Sequence, residues 1–156
     1  MAHELRHTTR KKISHGAYHP LGATLCKDGV NFAIYSKHAR EVFLLLFDTP
    51  DGEPTDVIRI ETRTKYVWHA LVHDLRAGQL YGYKIQGDYH PAWGLRFNEY
   101  KLLIDPHAKA LTGKFANKDN LLPPYDPESP GRDLTPDLRD NTGIVPRSIV
   151  IDDTLP

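Results

Sequence analysis

The feature that most constrains the fold is a short turn between two strand-like runs near the middle of the chain. The runs are Val67–Val72 and Leu80–Gln86. Leu75 and Gly78 stand between them, and Tyr81 near the start of the second run continues the same spacing of three residues. The glycine can adopt the positive φ that a sharp reversal of the chain requires.

The same spacing is typical of a tyrosine corner, a motif of Greek-key β-sandwiches. In that motif a tyrosine at the start of a strand turns its hydroxyl group back onto the backbone of the preceding loop. The spacing therefore predicts a hydrogen bond from Tyr81, in preference to Tyr83, to backbone near Asp74–Gly78. The alternative is an ordinary hairpin in which the tyrosine stands by chance.

Other short runs have the pattern of strands. Val30, Phe32 and Ile34 alternate with their neighbours, as in a half-buried strand, and they follow the hairpin signal Asp28-Gly29. Further runs at similar spacing are Glu41–Phe47 and Asp56–Ile60. Short strands at regular intervals predict an all-β fold, namely an antiparallel β-sandwich.

One of these runs is apolar on both faces. Val42–Phe47 is six consecutive apolar residues, so both faces of this strand need a cover. We expect the second face to dock on a partner, with an exposed cluster that includes Phe43, Leu45, Phe47 or Leu103. The alternative is that the proline-rich tail of the chain covers this face.

Composition limits the classes of function. The 156 residues contain 20 Lys and Arg against 20 Asp and Glu, so the net charge is zero and a nucleic-acid partner is not expected. No apolar run approaches the roughly 18 residues of a membrane span, and the polar N-terminus has no signal core. A single cysteine, Cys26, allows no internal disulfide and favours a cytoplasmic location.

The chain divides into three parts by composition. We expect a disordered polar arm over residues 1–17, the sandwich over 18–105, and an irregular proline-rich extension over 106–156. Seven of the twelve prolines lie from Pro123 onward, which is typical of an extended or draped segment. Within it, the β-branched run Ser148–Ile151 is a candidate for a last strand.

No pattern of residues indicates catalysis, a metal site or a cofactor. Acidic residues such as Asp48 stand in a turn, where carboxylates bond to local backbone, and Asp105 before Pro106 is expected to cap a turn. His69 and His73 are four apart on a predicted strand, about 13 Å, which is too far to share one ion.

An aromatic loop after the last central strand is the candidate site for carbohydrate. Its rings are those of Tyr89, Trp93 and Phe97, and the nearby polar groups are those of Lys84, Gln86 and Asn98. Exposed rings stack on the C–H face of glucose, and the polar groups can then bond to its hydroxyls. The alternative is that the rings pack against the sandwich or against another domain.

Several motifs outside the central turn are also distinctive. They are His19-Pro-Leu-Gly-Ala, Gly29-Val-Asn-Phe-Ala-Ile-Tyr-Ser, Trp68-His69, Tyr81-Gly-Tyr, Phe97-Asn98-x-x-Lys101-Leu-Leu-Ile-Asp105-Pro106 and Pro146-Arg-Ser-Ile-Val. On these motifs the chain from Tyr18 to Val150 resembles the N-terminal region of bacterial glycogen debranching enzymes and isoamylases, in the alpha-amylase superfamily. The resemblance implies an early-set, immunoglobulin-like sandwich related to the family 48 carbohydrate-binding modules.

The resemblance also implies that catalysis belongs to another domain of a longer protein. In the family, α-1,6-glucosidic bonds are hydrolysed by a (β/α)8 barrel of about 250 residues, which this chain is too short to contain after Val150. We therefore expect a non-catalytic piece of a longer enzyme that braces the barrel and contacts α-glucan weakly. The rivals are a free-standing glycogen- or starch-binding module and an autonomous hydrolase with an unrecognised site.

Glycogen-binding modules of this kind carry two tryptophans, each following a strand of the sandwich. Here Asp48–Gly52 has no aromatic residue at the first position. The resemblance implies that the second position is kept as Tyr89 or Trp93 and that Lys84 matches a lysine of the family pattern. The other tryptophan, Trp68, shares its strand face with apolar residues and is expected in the core.

Overall fold

A computed structural model describes residues 5–87, 89–90, 95–96, 101–112 and 145–152. Its ordered elements are all strands: β1 (Ile13–Ser14), β2 (Gly22–Leu25), β3 (Gly29–Tyr35), β4 (Ala39–Phe47), β5 (Pro54–Arg59), β6 (Thr62–Thr64), β7 (Val67–His73), β8 (Leu80–Gly87), β9 (Tyr89–His90), β10 (Leu95–Arg96) and β11 (Ser148–Ile149). Nowhere in the described ranges does a helix reach the length and apolarity needed to cross a bilayer.

The strands form two antiparallel sheets and a short hairpin. The first sheet has the order β1-β7-β3-β2, with β6 also pairing to β7, and the second has the order β11-β8-β4-β5. Strands β9 and β10 pair only with each other in the described part of the chain. The prediction of an all-β antiparallel sandwich is confirmed.

The main core lies between the two sheets. Inward-facing residues of the second sheet pair across strands, with Leu44 opposite Tyr83 and Leu46 opposite Tyr81. They meet the inward face of the first sheet, where Phe32 lies edge-on to Tyr81 with ring centroids 5.0 Å apart. Trp68 is 8% exposed within this cluster, which confirms its assignment to the core.

A second apolar cluster covers the outer face of the second sheet. Phe43, Leu45 and Phe47 of β4 pack there with Leu102 and Val145, and each of the five is at most 4% exposed. The expectation that these three β4 side chains form an exposed docking face is wrong. Two later segments of the same chain return across the sheet and bury them, as in the alternative of a draped tail.

The N-terminal arm was predicted to be disordered, and its described part is ordered instead. Thr8 and Val57 exchange two backbone hydrogen bonds of 2.7 and 2.9 Å at the free edge of β5. The arm then crosses to the first sheet, where Ile13 and Ser14 pair with β7. Backbone N–H and C=O groups at a sheet edge can pair with another strand whatever its side chains are. The polar composition of the arm therefore did not predict this pairing.

The extension after residue 105 also pairs with the sandwich. Ser148 lies opposite Tyr81 on β8, so the predicted last strand is confirmed as β11. Leu111 forms a bridge to Ser148 on its other side, and the Thr112 N–H donates to the carbonyl of Arg147 at 2.9 Å. The segment around 145–150 is therefore built into the second sheet.

The turn before β8 has the predicted conformation but different bonds. Gly78 adopts a φ of 94°, as expected, and its N–H donates to the carbonyl of Val150 at 2.7 Å. The tyrosine corner is wrong, because the Tyr81 hydroxyl donates to the Asp105 carboxylate at 2.6 Å. A late segment of the chain thus supplies the partners that the motif assigns to the preceding loop.

Candidate functional site

The candidate carbohydrate site lies at one end of the sandwich. There β8 ends at Gly87, opposite Ala39 at the start of β4, and β9 begins two residues later at Tyr89. Tyr89 is placed on β9, where its backbone pairs with Arg96 of β10. The predicted aromatic loop is therefore in part a hairpin that extends from the end of β8.

Only some of the predicted sugar-contacting residues fall within the described structure. Trp93, Phe97 and Asn98 lie outside the described residues, and only the backbone of Tyr89 is described. Lys84 lies on β8 opposite Phe43, on the outer face of the sheet, and is 5% exposed. A role for these residues in binding sugar stays a prediction, and Lys84 is largely covered.

Two other connections reach the same end of the sandwich. Because Tyr35 at the end of β3 pairs with Val67 at the start of β7, the β3–β4 loop and the β6–β7 turn lie side by side. The Ser36 N–H donates to the carbonyl of Tyr66 at 2.9 Å, and the Trp68 indole donates to the carbonyl of Ser36 at 3.1 Å. These bonds hold the loop against the turn.

The most buried acidic residue of the described chain is Asp105, and its hydrogen bonds are those of a structural residue. The carboxylate of Asp105 accepts the Tyr81 hydroxyl and, at 2.9 Å, the N–H of His107, while its own N–H donates to the Ser148 hydroxyl at 3.1 Å. Its carbonyl accepts from Ala108 at 3.0 Å, so the prediction that Asp105 caps a turn is confirmed.

Burial dominates the electrostatics of the neighbouring tyrosines. Desolvation and then the Asp105 carboxylate raise the pKa of Tyr81 well above its usual value of 10.0. The same two causes, with Tyr81 as a third, raise the pKa of Tyr83. Both phenols are therefore neutral at physiological pH, and both side chains pack in the main core.

The histidines of the first sheet have separate partners. His69 bonds through Nδ1 to the carbonyl of His15 at 2.6 Å and through Nε2 to the Thr64 hydroxyl at 2.8 Å. His73 bonds to the Ser14 hydroxyl at 2.7 Å. Over the ranges that the structure describes, no three His, Cys, Asp or Glu side chains converge to hold a metal ion.

With this geometry in view, comparison with known proteins is informative. The family described as carbohydrate-binding module 48, isoamylase N-terminal domain, matches residues 20–108. The chain belongs to this family. The matched range contains β2 to β10, so it covers the hairpin of the candidate site and every strand of the two sheets except β1 and β11. The resemblance found in the sequence motifs is confirmed.

The curated relatives are much longer proteins. The chain is 39% identical over 139 residues to a glycogen debranching enzyme of Yersinia pseudotuberculosis, covering 89% of this chain and 20% of that protein. It is 38% identical over 142 residues to a glycogen debranching enzyme of Serratia proteamaculans, covering 91% of this chain and 20% of that protein. The chain spans about a fifth of the length of these relatives.

Solved structures share the fold at low sequence identity. The product complex of the multi-modular glycogen-degrading pneumococcal virulence factor SpuA has a TM-score of 0.58 at 18% identity, over 88% of this chain and 12% of that one. A pullulanase from Paenibacillus barengoltzii, in complex with maltohexaose and alpha-cyclodextrin, has a TM-score of 0.52 at 20% identity, over 86% and 15%. These likenesses support the sandwich fold.

Sequence reasoning missed part of the surface at this end of the sandwich. No motif in the sequence points to Lys37, Arg63, Lys65 and Tyr66, because they are spread over a loop, strand β6 and a turn. The one local signal was the hairpin turn Lys65-Tyr66, whose lack of glycine or asparagine is unusual between two paired strands.

Proposed function

We propose that this chain is the non-catalytic N-terminal module of a glycogen debranching enzyme, whose full-length form hydrolyses α-1,6-glucosidic bonds of glycogen in the cytoplasm. The observation that carries this proposal is the family match over residues 20–108, which contain most strands of the sandwich, together with relatives about five times as long. In this proposal the module braces a catalytic barrel and makes weak contacts to α-glucan.

The bracing role is supported by the distribution of exposed apolar side chains. The exposed large aliphatic residues of the described chain are Leu103 at 40%, Ile104 at 36% and Leu111 at 46%. Leu103 pairs with Tyr83 on β8, and Leu111 pairs with Ser148, which in turn pairs with β8. All three therefore belong to one edge of the second sheet, as expected for a docking edge.

The docking role can be tested with a related enzyme supplied in two pieces. The Yersinia pseudotuberculosis relative, produced without its matching segment, should bind this chain in sedimentation experiments. A chain with both Leu103→Asp and Leu111→Asp should bind at least tenfold more weakly, since charges enter an apolar contact. Lys27→Asp in the exposed β2–β3 turn is the matched control, and equal loss in both variants would contradict docking at this edge.

The contact with α-glucan is assigned to the end of the sandwich at the β9–β10 hairpin. Tyr89 and Trp93 supply the stacking rings in this proposal, and Lys84 and Asn98 supply polar contacts. Its support is the family description together with the position of the hairpin directly after β8. Loss of glycogen co-sedimentation on Trp93→Ala, with no loss on Arg76→Ala in the exposed turn between β7 and β8, is the expected result.

A free-standing glycogen- or starch-binding module is the second candidate. One observation favours it, namely that the chain itself buries both faces of β4 and so completes its core without a partner. A module that works alone should bind glycogen measurably and should show no affinity for the shortened relative. The docking experiment therefore separates the two candidates.

A further inference from the structure

The end of the sandwich that carries the β9–β10 hairpin also carries exposed tyrosines and cations. We call this set the tyrosine–cation patch, and its members are Tyr18, Tyr35, Tyr66, Lys37, Arg63 and Lys65. The exposed fractions of the three tyrosines are 43%, 56% and 43% in that order. The patch is formed by the end of β3 and the β3–β4 loop, by β6 and the β6–β7 turn, and by the segment before β2, outside the hairpin already considered.

Each cation of the patch rests near an aromatic ring. Lys37 Nζ lies 5.8 Å and Arg63 Cζ lies 5.7 Å from the ring centroid of Tyr66, and Lys65 Nζ lies 5.7 Å from that of Tyr18. These distances are within the range of about 6 Å for a cation–π contact. In the described ranges no ion pair engages these three cations, so their donor groups are available to a ligand.

The turn that presents Tyr66 adopts an unfavourable backbone conformation. Lys65 has a φ of 51° and Tyr66 a φ of 66°, the two positive values of a type I′ hairpin turn. Asparagine and glycine are the usual residues there, because side chains with a bulky Cβ substituent lose free energy in this region. A lysine and a tyrosine in this turn reduce stability, which indicates a role other than folding.

The patch is also pre-organised. Ser36 is bonded through its N–H to the Tyr66 carbonyl and through its carbonyl to the Trp68 indole, so loop and turn cannot separate freely. Arg63 Cζ lies 5.6 Å from the ring centroid of Trp68, which anchors the guanidinium over a buried ring. Side chains fixed before binding lose less conformational entropy when a ligand arrives.

We propose that the tyrosine–cation patch is a second contact surface for the same α-glucan chain that the β9–β10 hairpin binds, an inference that rests on the proposed function. Exposed tyrosine faces accept the C–H side of glucose rings, and the ammonium and guanidinium groups donate to sugar hydroxyls. Gly87 pairs with Ala39, which stands two residues after Lys37 of the patch, and Tyr89 of the hairpin follows Gly87 by two residues, about 7 Å at most, so hairpin and patch are neighbours.

Two adjacent surfaces on one chain predict that affinity depends on the length of the glucan. A short oligosaccharide occupies one surface, whereas a longer one engages both, and the second contact is then intramolecular. Maltotriose should therefore shift NMR signals of the hairpin alone. Maltoheptaose and longer linear α-glucans should also shift the amides of residues 35–38 and 63–66.

The decisive variant is Tyr66→Gly, since glycine removes the ring and also relieves the positive φ. Its melting temperature should equal or exceed that of the unmodified chain, while its affinity for long glucan should fall about fivefold, the value of one stacking ring. Tyr35→Ala should have a similar effect on affinity. Arg76→Ala, in the exposed turn at the opposite end of the sandwich, is the matched control.

The outcomes separate this inference from the proposed function. No glucan binding by the unmodified chain contradicts both. Binding that falls on Trp93→Ala and is unchanged by Tyr66→Gly and Tyr35→Ala overturns the patch alone. Heparin is the competing probe, because free cations also attract polyanions. If heparin shifts the patch amides with steep salt dependence and glucan does not, the patch is an anion site and the inference is wrong.

Discussion

The Tyr81 hydroxyl donates a 2.6 Å hydrogen bond to the carboxylate of Asp105, 24 residues later in the chain. Both groups are buried, with exposed fractions of 1% and 2%. The bond joins β8 to the segment that returns over the second sheet, and the same carboxylate caps the next turn. One contact therefore couples the sandwich to the first residues of the C-terminal extension.

Replacement of Tyr81 and of Tyr83 by phenylalanine should have different effects on the free energy of unfolding. Tyr81→Phe leaves the Asp105 carboxylate without its buried donor and should lower the free energy of unfolding by about 1–3 kcal/mol. Tyr83→Phe removes a hydroxyl that has no hydrogen-bond partner among the described residues. That change should be neutral or stabilising, within about 1 kcal/mol.

Urea denaturation of the two variants measures the difference. The pair is well matched, since both tyrosines lie on β8, face the main core and differ only in the partner of the hydroxyl. Equal destabilisation by the two substitutions would show that the hydroxyl bond to Asp105 contributes nothing specific.

The same residues illustrate what sequence reasoning reached. The strand β8, the turn at Gly78 and the core position of Trp68 follow from local periodicity and from the backbone freedom of glycine. The hydrogen-bond partner of Tyr81 could not be predicted in this way. Spacing relates residues a few positions apart, whereas Asp105 is brought to Tyr81 by tertiary packing. Family resemblance identified Asp105 as part of a motif, without its contact.

The second apolar cluster has a similar explanation. The sequence shows that Val42–Phe47 needs a cover on both faces, and this requirement is physically sound. It does not say whether the cover comes from another protein or from Leu102 and Val145 of the same chain. Candidate sugar contacts were assigned mainly by resemblance, and the tyrosine–cation patch had no motif to reveal it.

High pH should weaken the fold through the buried phenols. The pKa values of Tyr81 and Tyr83 are raised in the folded chain above the usual 10.0. Their contribution to stability is therefore complete below about pH 10 and is lost as the pH rises further, since the unfolded chain ionises first. Above that pH, the free energy of unfolding should fall by at most about 1.4 kcal/mol per pH unit for each tyrosine.

Denaturation midpoints between pH 8 and pH 11 test this dependence. Tyr81→Phe should have a shallower decline than the unmodified chain, because one of the two shifted groups is absent. Tyr35→Phe replaces an exposed phenol and should leave the slope unchanged. A Tyr81→Phe slope identical to that of the unmodified chain would contradict the raised pKa.

Arg147 should be a major contributor to the order of the C-terminal segment. The side chain is fully buried, donates to the carbonyls of Val145 at 3.0 Å and Gly52 at 2.9 Å, and lies 3.9 Å from the ring centroid of Phe47. Arg147→Ala removes these contacts and should destabilise the chain by about 2–4 kcal/mol.

Two further variants sharpen this prediction. Arg147→Lys keeps the charge but cannot present two donors in one plane, so it should recover only part of the lost stability. Arg76→Ala, an exposed arginine, should change the free energy of unfolding by less than about 0.5 kcal/mol. Full stability of the lysine variant would mean that the planar geometry is unimportant.

The isolated chain should release no reducing sugar from glycogen, amylopectin or pullulan. A glycosidase needs two carboxyl groups held about 5 to 9.5 Å apart across the scissile bond. The buried carboxylate of Asp105 is instead engaged by Tyr81 and His107. Turnover by highly purified protein that disappears on a point substitution in this chain would refute the prediction.

Maltoheptaose should bind with a dissociation constant in the millimolar range. One stacking ring contributes about 1 kcal/mol, and millimolar affinity requires about 4 kcal/mol in total, so the remaining contacts must also be modest.

The chain has two tryptophans, so an NMR titration offers two indole signals. The Trp93 signal should shift most, whereas that of Trp68, whose indole is bonded to Ser36 within the core, should shift less. Trp93→Ala should lower the affinity about fivefold, the value of one stacking ring, and leave the melting temperature within about 2 °C, because a change of about 0.5 kcal/mol corresponds to such a shift. Micromolar binding that survives Trp93→Ala would place the glucan on another part of the surface.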